Sequence, residues 1–253
     1  MITIRNLTKS FEGHLALPGL DMNIKKGSIY GLVGVNGSGK TTTIKHLAGV
    51  YKADGGSLLF GGVEIYDNPP VKAKIGYVPD DLYFFHGYNL KKLAKFFRKL
   101  YKTFSMERFD RLVALTELDT KRRVSKFSKG MQKQAALTIS LSIMPELLLL
   151  DEPIDGLDPI VRKKIFSEII DDVAARQMTV LISSHNLKEM DGICDTIGII
   201  KDGKMLIEKD LDELKLTMQN NLVSEHLPPS LDEIFIHVYE TGGISHVAES
   251  DSK

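Results

Sequence analysis

The stretch GVNGSGKTT, Gly34 to Thr42, sets Gly34, Gly39, Lys40 and Thr41 at the spacing G-x-x-x-x-G-K-[ST]. That spacing suits phosphate. Glycines let the backbone N–H groups of Asn36, Gly37, Ser38 and Gly39 converge on phosphate oxygens that a Cβ would keep away. A helix starting near Lys40 and running through Thr42 adds its positive N-terminal dipole. Lys40 can neutralise β/γ-phosphate charge, and the Thr41 hydroxyl can ligate Mg²⁺. The competing reading is a glycine-rich turn with a chance Lys-Thr. The apolar run Ile29–Val33 before it and the helical pattern IKHLAG after it disfavour that reading.

Two further strand ends carry reactive side chains. LLLLDEP ends an apolar run on Asp151 and Glu152. Asp151 suits a Mg²⁺ partner for the phosphate loop. Glu152 suits a general base or an orienting group for an attacking water. An acidic cluster at a helix start is the alternative. TVLISSH ends on His185, which can hydrogen-bond a γ-phosphate and hold the water, or simply cap a strand at the surface. In FSKGMQ, Phe127 to Gln132, Ser128, Lys129 and Gly130 open another apolar stretch. By itself this is either an ordinary loop-to-helix junction or a ligand contact.

These residues need a scaffold of buried strands alternating with helices. Ile29–Val33, Ile75–Val78, Leu147–Leu150, Val180–Ser183 and Ile197–Ile200 are apolar runs of the kind that parallel strands covered on both faces show. Early short strands, one at ITI near Ile2 and one around Leu20 to Ile24, are punctuated by glycine turns. KDGKMLIE predicts a hairpin around Asp202-Gly203. From about Asn89 to Leu141 the pattern is helical only. Leu90, Leu93, Ala94, Phe97, Leu100 and Tyr101 share one helix face, and Lys91, Lys92, Lys95, Arg98, Lys99 and Lys102 lie on the rest. That basic face can meet a membrane or a partner, or be the solvated outside of a packed helix. The expected class is α/β, a mostly parallel sheet with an N-terminal antiparallel β region and an inserted helical part.

Composition limits the options. The chain of 253 residues has 43% hydrophobic and 26% charged residues and a formal net charge of zero, so global charge gives no push toward nucleic acid or an anionic membrane. Cys194 is the single cysteine, which rules out an intrachain disulfide and suits a small buried hydrophobe. The start MITIRNLTKS lacks the apolar region of a secretory signal. No apolar run reaches the roughly 18–20 residues of a membrane span. The expected division is a main domain over 1–215 that carries the phosphate loop, with a helical subdomain inserted at about 84–144, and a C-terminal extension over 216–253, frayed from Glu249 to Lys253.

Together the motifs resemble the ATP-binding cassette (ABC) ATPases over nearly the whole chain. GVNGSGKT looks like the family's Walker A, and LLLLDEP like its Walker B followed by the catalytic glutamate. DGLDP, with Asp158, looks like the D-loop, and His185 matches the switch histidine. Phe11, otherwise a plausible core strand residue, falls where the family stacks an aromatic on adenine. FSKGMQ falls at the family signature, with Phe127, Lys129 and Met131 replacing its usual residues while Ser128 and Gly130 survive. Asp80, followed by Asp81, stands where the family carries the glutamine of its Q-loop, and an aspartate there could ligate Mg²⁺ or a water. The resemblance implies ATP and Mg²⁺ as ligands. It also implies head-to-tail pairing with a second ATP-binding subunit, either the same chain or a close paralogue. Ser128, Lys129, Gly130 and Asp158 would then act on the partner's ATP.

The variants, and PPSLDEIFIHV near the C-terminus, are similar to bacterial subunits that serve drug, lantibiotic or peptide exporters through a separate transmembrane permease. That implies a place at the cytoplasmic face of the cell membrane. Two rivals are a soluble ATPase of the same superfamily acting on nucleic acid or the ribosome, and a nucleotide-binding regulatory scaffold. One phosphate loop, no long heptad run and zero net charge disfavour the first, so no nucleic-acid partner is expected. Asp151, Glu152 and His185 disfavour the second.

Overall fold

The computed structural model describes residues 1–221 and 229–243. The frayed end expected over Glu249–Lys253 lies outside them. The chain begins with β1 (Ile2–Phe11), β2 (His14–Ile24), β3 (Ile29–Val33) and α1 (Lys40–Leu47). β4 (Gly55–Phe60), β5 (Val63–Glu64), α2 (Pro69–Lys72) and β6 (Ile75–Val78) follow. A helical layer comes next, with α3 (Leu90–Leu100), α4 (Met106–Thr116), a 3-10 turn at Val124–Lys126 and α5 (Lys129–Ser142). The chain then returns to the sheet through β7 (Leu147–Asp151), α6 (Pro159–Arg176), β8 (Thr179–Ser184), α7 (Leu187–Met190) and β9 (Thr196–Lys201). β10 (Lys204–Asp210), α8 (Leu211–Asn221) and α9 (Leu231–Thr241) complete it.

Two sheets result. The N-terminal one is antiparallel in the order β2-β1-β4-β5. The six-stranded sheet runs β10-β9-β3-β8-β7-β6, all neighbours parallel except the β9–β10 hairpin, which turns at Asp202-Gly203. Every residue of β3, β7 and β8 is buried, because helices or the other sheet cover both faces. Tyr30, Leu32, Leu149 and Leu181 point to the side shared with α1 and the antiparallel sheet. Ile29, Leu148, Leu150 and Ile182 point to the side packed by α5, α6, α8 and α9. Met218, Ile234 and Val238, from the stretch expected as a C-terminal extension, join this second core. Cys194 is buried there too, and burial pushes its thiol up.

The early strands are longer than the sequence pattern predicts. β1 and β2 pair along their length but slip register between Ile4 and Leu7, Leu7 and Thr8, and Lys9 and Ser10. Such irregularities break the period-2 alternation by which a strand is read. The face of α3 also differs from expectation. Leu90, Leu93 and Ala94 are buried, but the helix stops at Leu100, which is 59% exposed. Leu100 lies past the small core that Phe109, Phe127 and Ile139 build with the first turns of α3.

The helical layer is tied to the main body by charge. Arg108 on α4 reaches α6, donating to Asp172 Oδ2 at 2.7 Å and lying 3.4 Å from Glu168. Arg176 also holds Asp172, at 2.9 Å. Caps set the helix starts: Asn89, Ser105, Ser128 and Asp158 each accept a first-turn N–H.

Candidate functional site

Parallel order puts the C-terminal ends of β3, β8, β7 and β6 along one edge of the sheet. The phosphate loop, His185, Asp151-Glu152 and Asp80 leave from those ends, so residues far apart in sequence meet there.

The phosphate loop is braced from within and from outside. Gly39 takes φ 107° as the residue before α1 and offers no side-chain cap, so the first-turn N–H groups of α1 have no side-chain acceptor. Lys40 is buried, and its Nζ donates to Gly34 O at 2.7 Å and Val35 O at 3.2 Å. The Gly203 N–H, from the β9–β10 turn, donates to Ser38 O at 2.9 Å. Ser38 Oγ is buried without a partner among the described residues. Asn36 and Gly37 form the exposed crown of the loop, Thr41 is exposed and Thr42 half-buried. Burial lowers the Lys40 ammonium below the usual lysine range, opposed by Glu152 and Asp151.

Asp151 is 1% exposed. Its Oδ1 accepts from Thr41 Oγ1 at 3.1 Å and from Ser183 Oγ at 2.6 Å. Its Oδ2 is buried with no partner among the described residues. A buried carboxylate oxygen left unpaired beside a threonine hydroxyl is an oxygen donor set that fits a hard divalent cation. Ser183 carries no sequence signal that marks it as a site residue. The register that sets Asp151 opposite Ser183 is what brings it in.

Glu152 sits next to Asp151 with φ 46°, in the left-handed region. Its N–H is held by Ser183, through the carbonyl at 3.1 Å and the hydroxyl at 3.2 Å. Its carboxylate Oε2 accepts from the His185 N–H at 3.3 Å and lies 2.9 Å from His185 Nδ1, while Oε1 lies 3.8 Å from Lys40 Nζ. Burial raises Glu152 above the usual carboxylate range, opposed by His185 and Lys40. Asp155, also absent from the sequence-derived set, brings a carboxylate within 4.8 Å of the Glu152 and His185 ligand atoms.

The structure thus gathers Lys40, Thr41, Asp151, Glu152 and His185. Other expected residues stand apart. Phe11 ends β1 with its ring edge-on to Tyr51 at 5.2 Å and Lys9 Nζ 5.4 Å from its centre. Asp158 caps α6. Ser128 caps α5 by accepting from Met131 N at 3.3 Å, and Ser128 and Lys129 are exposed. A Cβ on Gly130 would lie 2.2 Å from Gly156 O, so glycine lets the start of α5 press against the loop after β7. Asp80, considered above as a metal ligand, is exposed and engaged elsewhere, its Oδ1 3.3 Å from Lys133 Nζ.

A profile of the ABC transporter family matches residues 17–155. The ABC transporter ATP-binding protein YtrB of Bacillus subtilis is 38% identical over 85% of this chain and 74% of its own length. The lantibiotic transport ATP-binding protein SrtF of Streptococcus pyogenes is 36% identical over 84% of this chain and 92% of its own. The bacitracin transport ATP-binding protein BcrA of Bacillus licheniformis is 34% identical over 85% and 71%. Among solved structures, an ATP-binding subunit of an ABC transporter shares the fold with a TM-score of 0.84, at 22% identity over 94% of this chain and 99% of that one. A dimeric ATP-binding cassette bound to ADP and phosphate shares it at 0.75, with 23% identity over 83% and 99%. With the profile spanning more than half of the sequence and relatives above a third identical along most of it, the chain belongs to the family of ABC transporter ATP-binding proteins.

Proposed function

We propose that this ATPase subunit pairs head to tail with a second ATP-binding subunit on ATP and drives a separate transmembrane permease that exports a drug, peptide or lipid-like substrate. The observation that carries the reading is the placement of Glu152. Its carboxylate stands between Lys40 and His185, next to Asp151 on the same strand end. The backbone of Asn36 to Gly39 and the Lys40 ammonium hold the phosphates. Thr41 and Asp151 would hold Mg²⁺, which when bound neutralises charge on the β- and γ-phosphates. Glu152 takes a proton from, or orients, the attacking water, and His185 fixes that carboxylate while reaching toward the γ-phosphate. Phe11 stacks the adenine. Ser128, Lys129 and Asp158, exposed, and the half-buried Gly130, all at helix starts or close to them, serve the ATP of the second subunit.

Among the described residues no helix is long and apolar enough to cross a membrane. The transport relatives support a place for this subunit beside a membrane partner, at its cytoplasmic face. An apolar cleft of about 410 Å³ between β6 and α3, lined by Tyr77, Phe85, Phe96, Leu100 and Ile139, supports docking of that partner. The lantibiotic and bacitracin transport relatives support a peptide-like cargo.

Glu152→Gln tests the reading. It keeps ATP affinity, lowers hydrolysis by about 10²–10⁴-fold as expected for loss of a general base, and accumulates an ATP-dependent dimer on sizing. Undiminished hydrolysis would reject the role.

A further inference from the structure

We propose that Lys133 is a positioning residue for Glu152, with Asp80 as its counter-ion. Lys133 lies on α5 and is 6% exposed. A buried ammonium is costly unless it is paired and hydrogen-bonded. Lys133 Nζ has two partners here. It donates to the backbone carbonyl of Glu152, and it stands 3.3 Å from Asp80 Oδ1 at the end of β6. Asp80, Lys133, Lys129 and Asp155 line one charged crevice between the start of α5 and the loop after β7.

The hydrogen bond to Glu152 O matters because of the backbone it restrains. A left-handed φ of 46° is disfavoured for any residue with a Cβ. Glu152 also precedes Pro153, and a residue before proline is pushed toward extended conformations. The observed conformation therefore needs restraint from both sides. Ser183 restrains the N–H and Lys133 restrains the carbonyl. With the carbonyl released, Glu152 is free to relax toward extended backbone, which takes its carboxylate away from Lys40 and His185. Asp80 in turn keeps the ammonium in place, which gives the aspartate at the Q-loop position a partner within the chain. An ammonium at 3.3 Å from Asp80 also opposes a cation on that carboxylate.

This inference rests on Glu152 being the catalytic carboxylate, so Glu152→Gln is run beside it. Steady-state hydrolysis of MgATP by the full chain and titration with a fluorescent ATP analogue are measured for Lys133→Met, Lys133→Arg and Asp80→Asn. Lys133→Met is expected to lower kcat by about 10- to 100-fold, the scale of a small misplacement of a reacting group, with ATP affinity within about twofold. Lys133→Arg restores most of the rate, because a guanidinium can still donate to the carbonyl and pair with Asp80. Asp80→Asn lowers kcat by about threefold, as for a weakened ion pair, and leaves the Mg²⁺ concentration for half-maximal rate unchanged. An unchanged kcat in Lys133→Met beside an inactive Glu152→Gln would overturn the proposal alone. Full rate in Glu152→Gln would overturn the catalytic reading and this proposal with it. Loss of ATP affinity in both Lys133 variants would make Lys133 a general structural group and overturn it. A raised Mg²⁺ requirement in Asp80→Asn would return Asp80 to the cation and overturn its part.

Discussion

The loops before α1 and before α5 both pass a serine and a glycine into a helix start, yet their surroundings differ. In the first, Ser38 and Lys40 are buried, and three carbonyls of the loop accept from Lys40 or from the β9–β10 turn. In the second, Ser128 and Lys129 are exposed, and the Ser128 side chain is engaged by its own helix cap. The first loop has its shape fixed by its own chain. The second has its position fixed, through Gly130 against Gly156, while its polar groups face outward. The difference fits a nucleotide held on one subunit and completed by another.

The contrast can be broken most severely at Lys40. Lys40→Ala is expected to weaken ATP binding by about 100-fold, since a charge-assisted contact to phosphate is lost; equal affinity in a nucleotide titration would remove the first loop from the binding site. At the second loop, Ser128→Arg in the Glu152→Gln background should abolish the ATP-dependent dimer on sizing while leaving single-subunit ATP affinity within about twofold, because a long charged side chain at an exposed helix start opposes close approach. A persistent dimer, or a matching loss of affinity, would erase the distinction between the loops. A smaller effect is expected where the helical layer meets α6. Arg108→Met should cost about 1–3 kcal/mol in urea unfolding, less than for an unpaired buried charge because Arg176 still holds Asp172. ATP affinity should not change, since none of these groups touches the phosphate loop.

The parts legible in sequence are those whose chemistry demands a fixed local spacing. Gly34 to Thr41 must be adjacent to wrap a phosphate, and β3, β7 and β8 need apolar runs to be buried on both faces, with the polar residues Asp151 and Ser183 held back to the strand ends. Groups that meet only through strand order or helix phase, and lie in no motif of their own, are not legible. Ser183 reaches Asp151 across a strand pair, and Lys133 reaches Asp80 across 53 positions. Neither has a local signal. β1 and β2 read as short fragments because their register slips interrupt the alternation. The exposed Leu100 reflects a helix that keeps its apolar period beyond the core that uses it.

One consequence concerns the order in which the protein is made. β3 lies between β8 and β9, and Ser38 O is held by Gly203. A nascent chain that has not yet emitted Thr179 carries the whole phosphate-loop sequence but neither neighbour of the strand that presents it. Capture of nucleotide is therefore acquired only once β8, β9 and the β9–β10 turn have been made, through contacts of long sequence separation, which are slow to form. A chain truncated before β9 should be unable to withdraw ATP from solution even though its Walker A residues are all present.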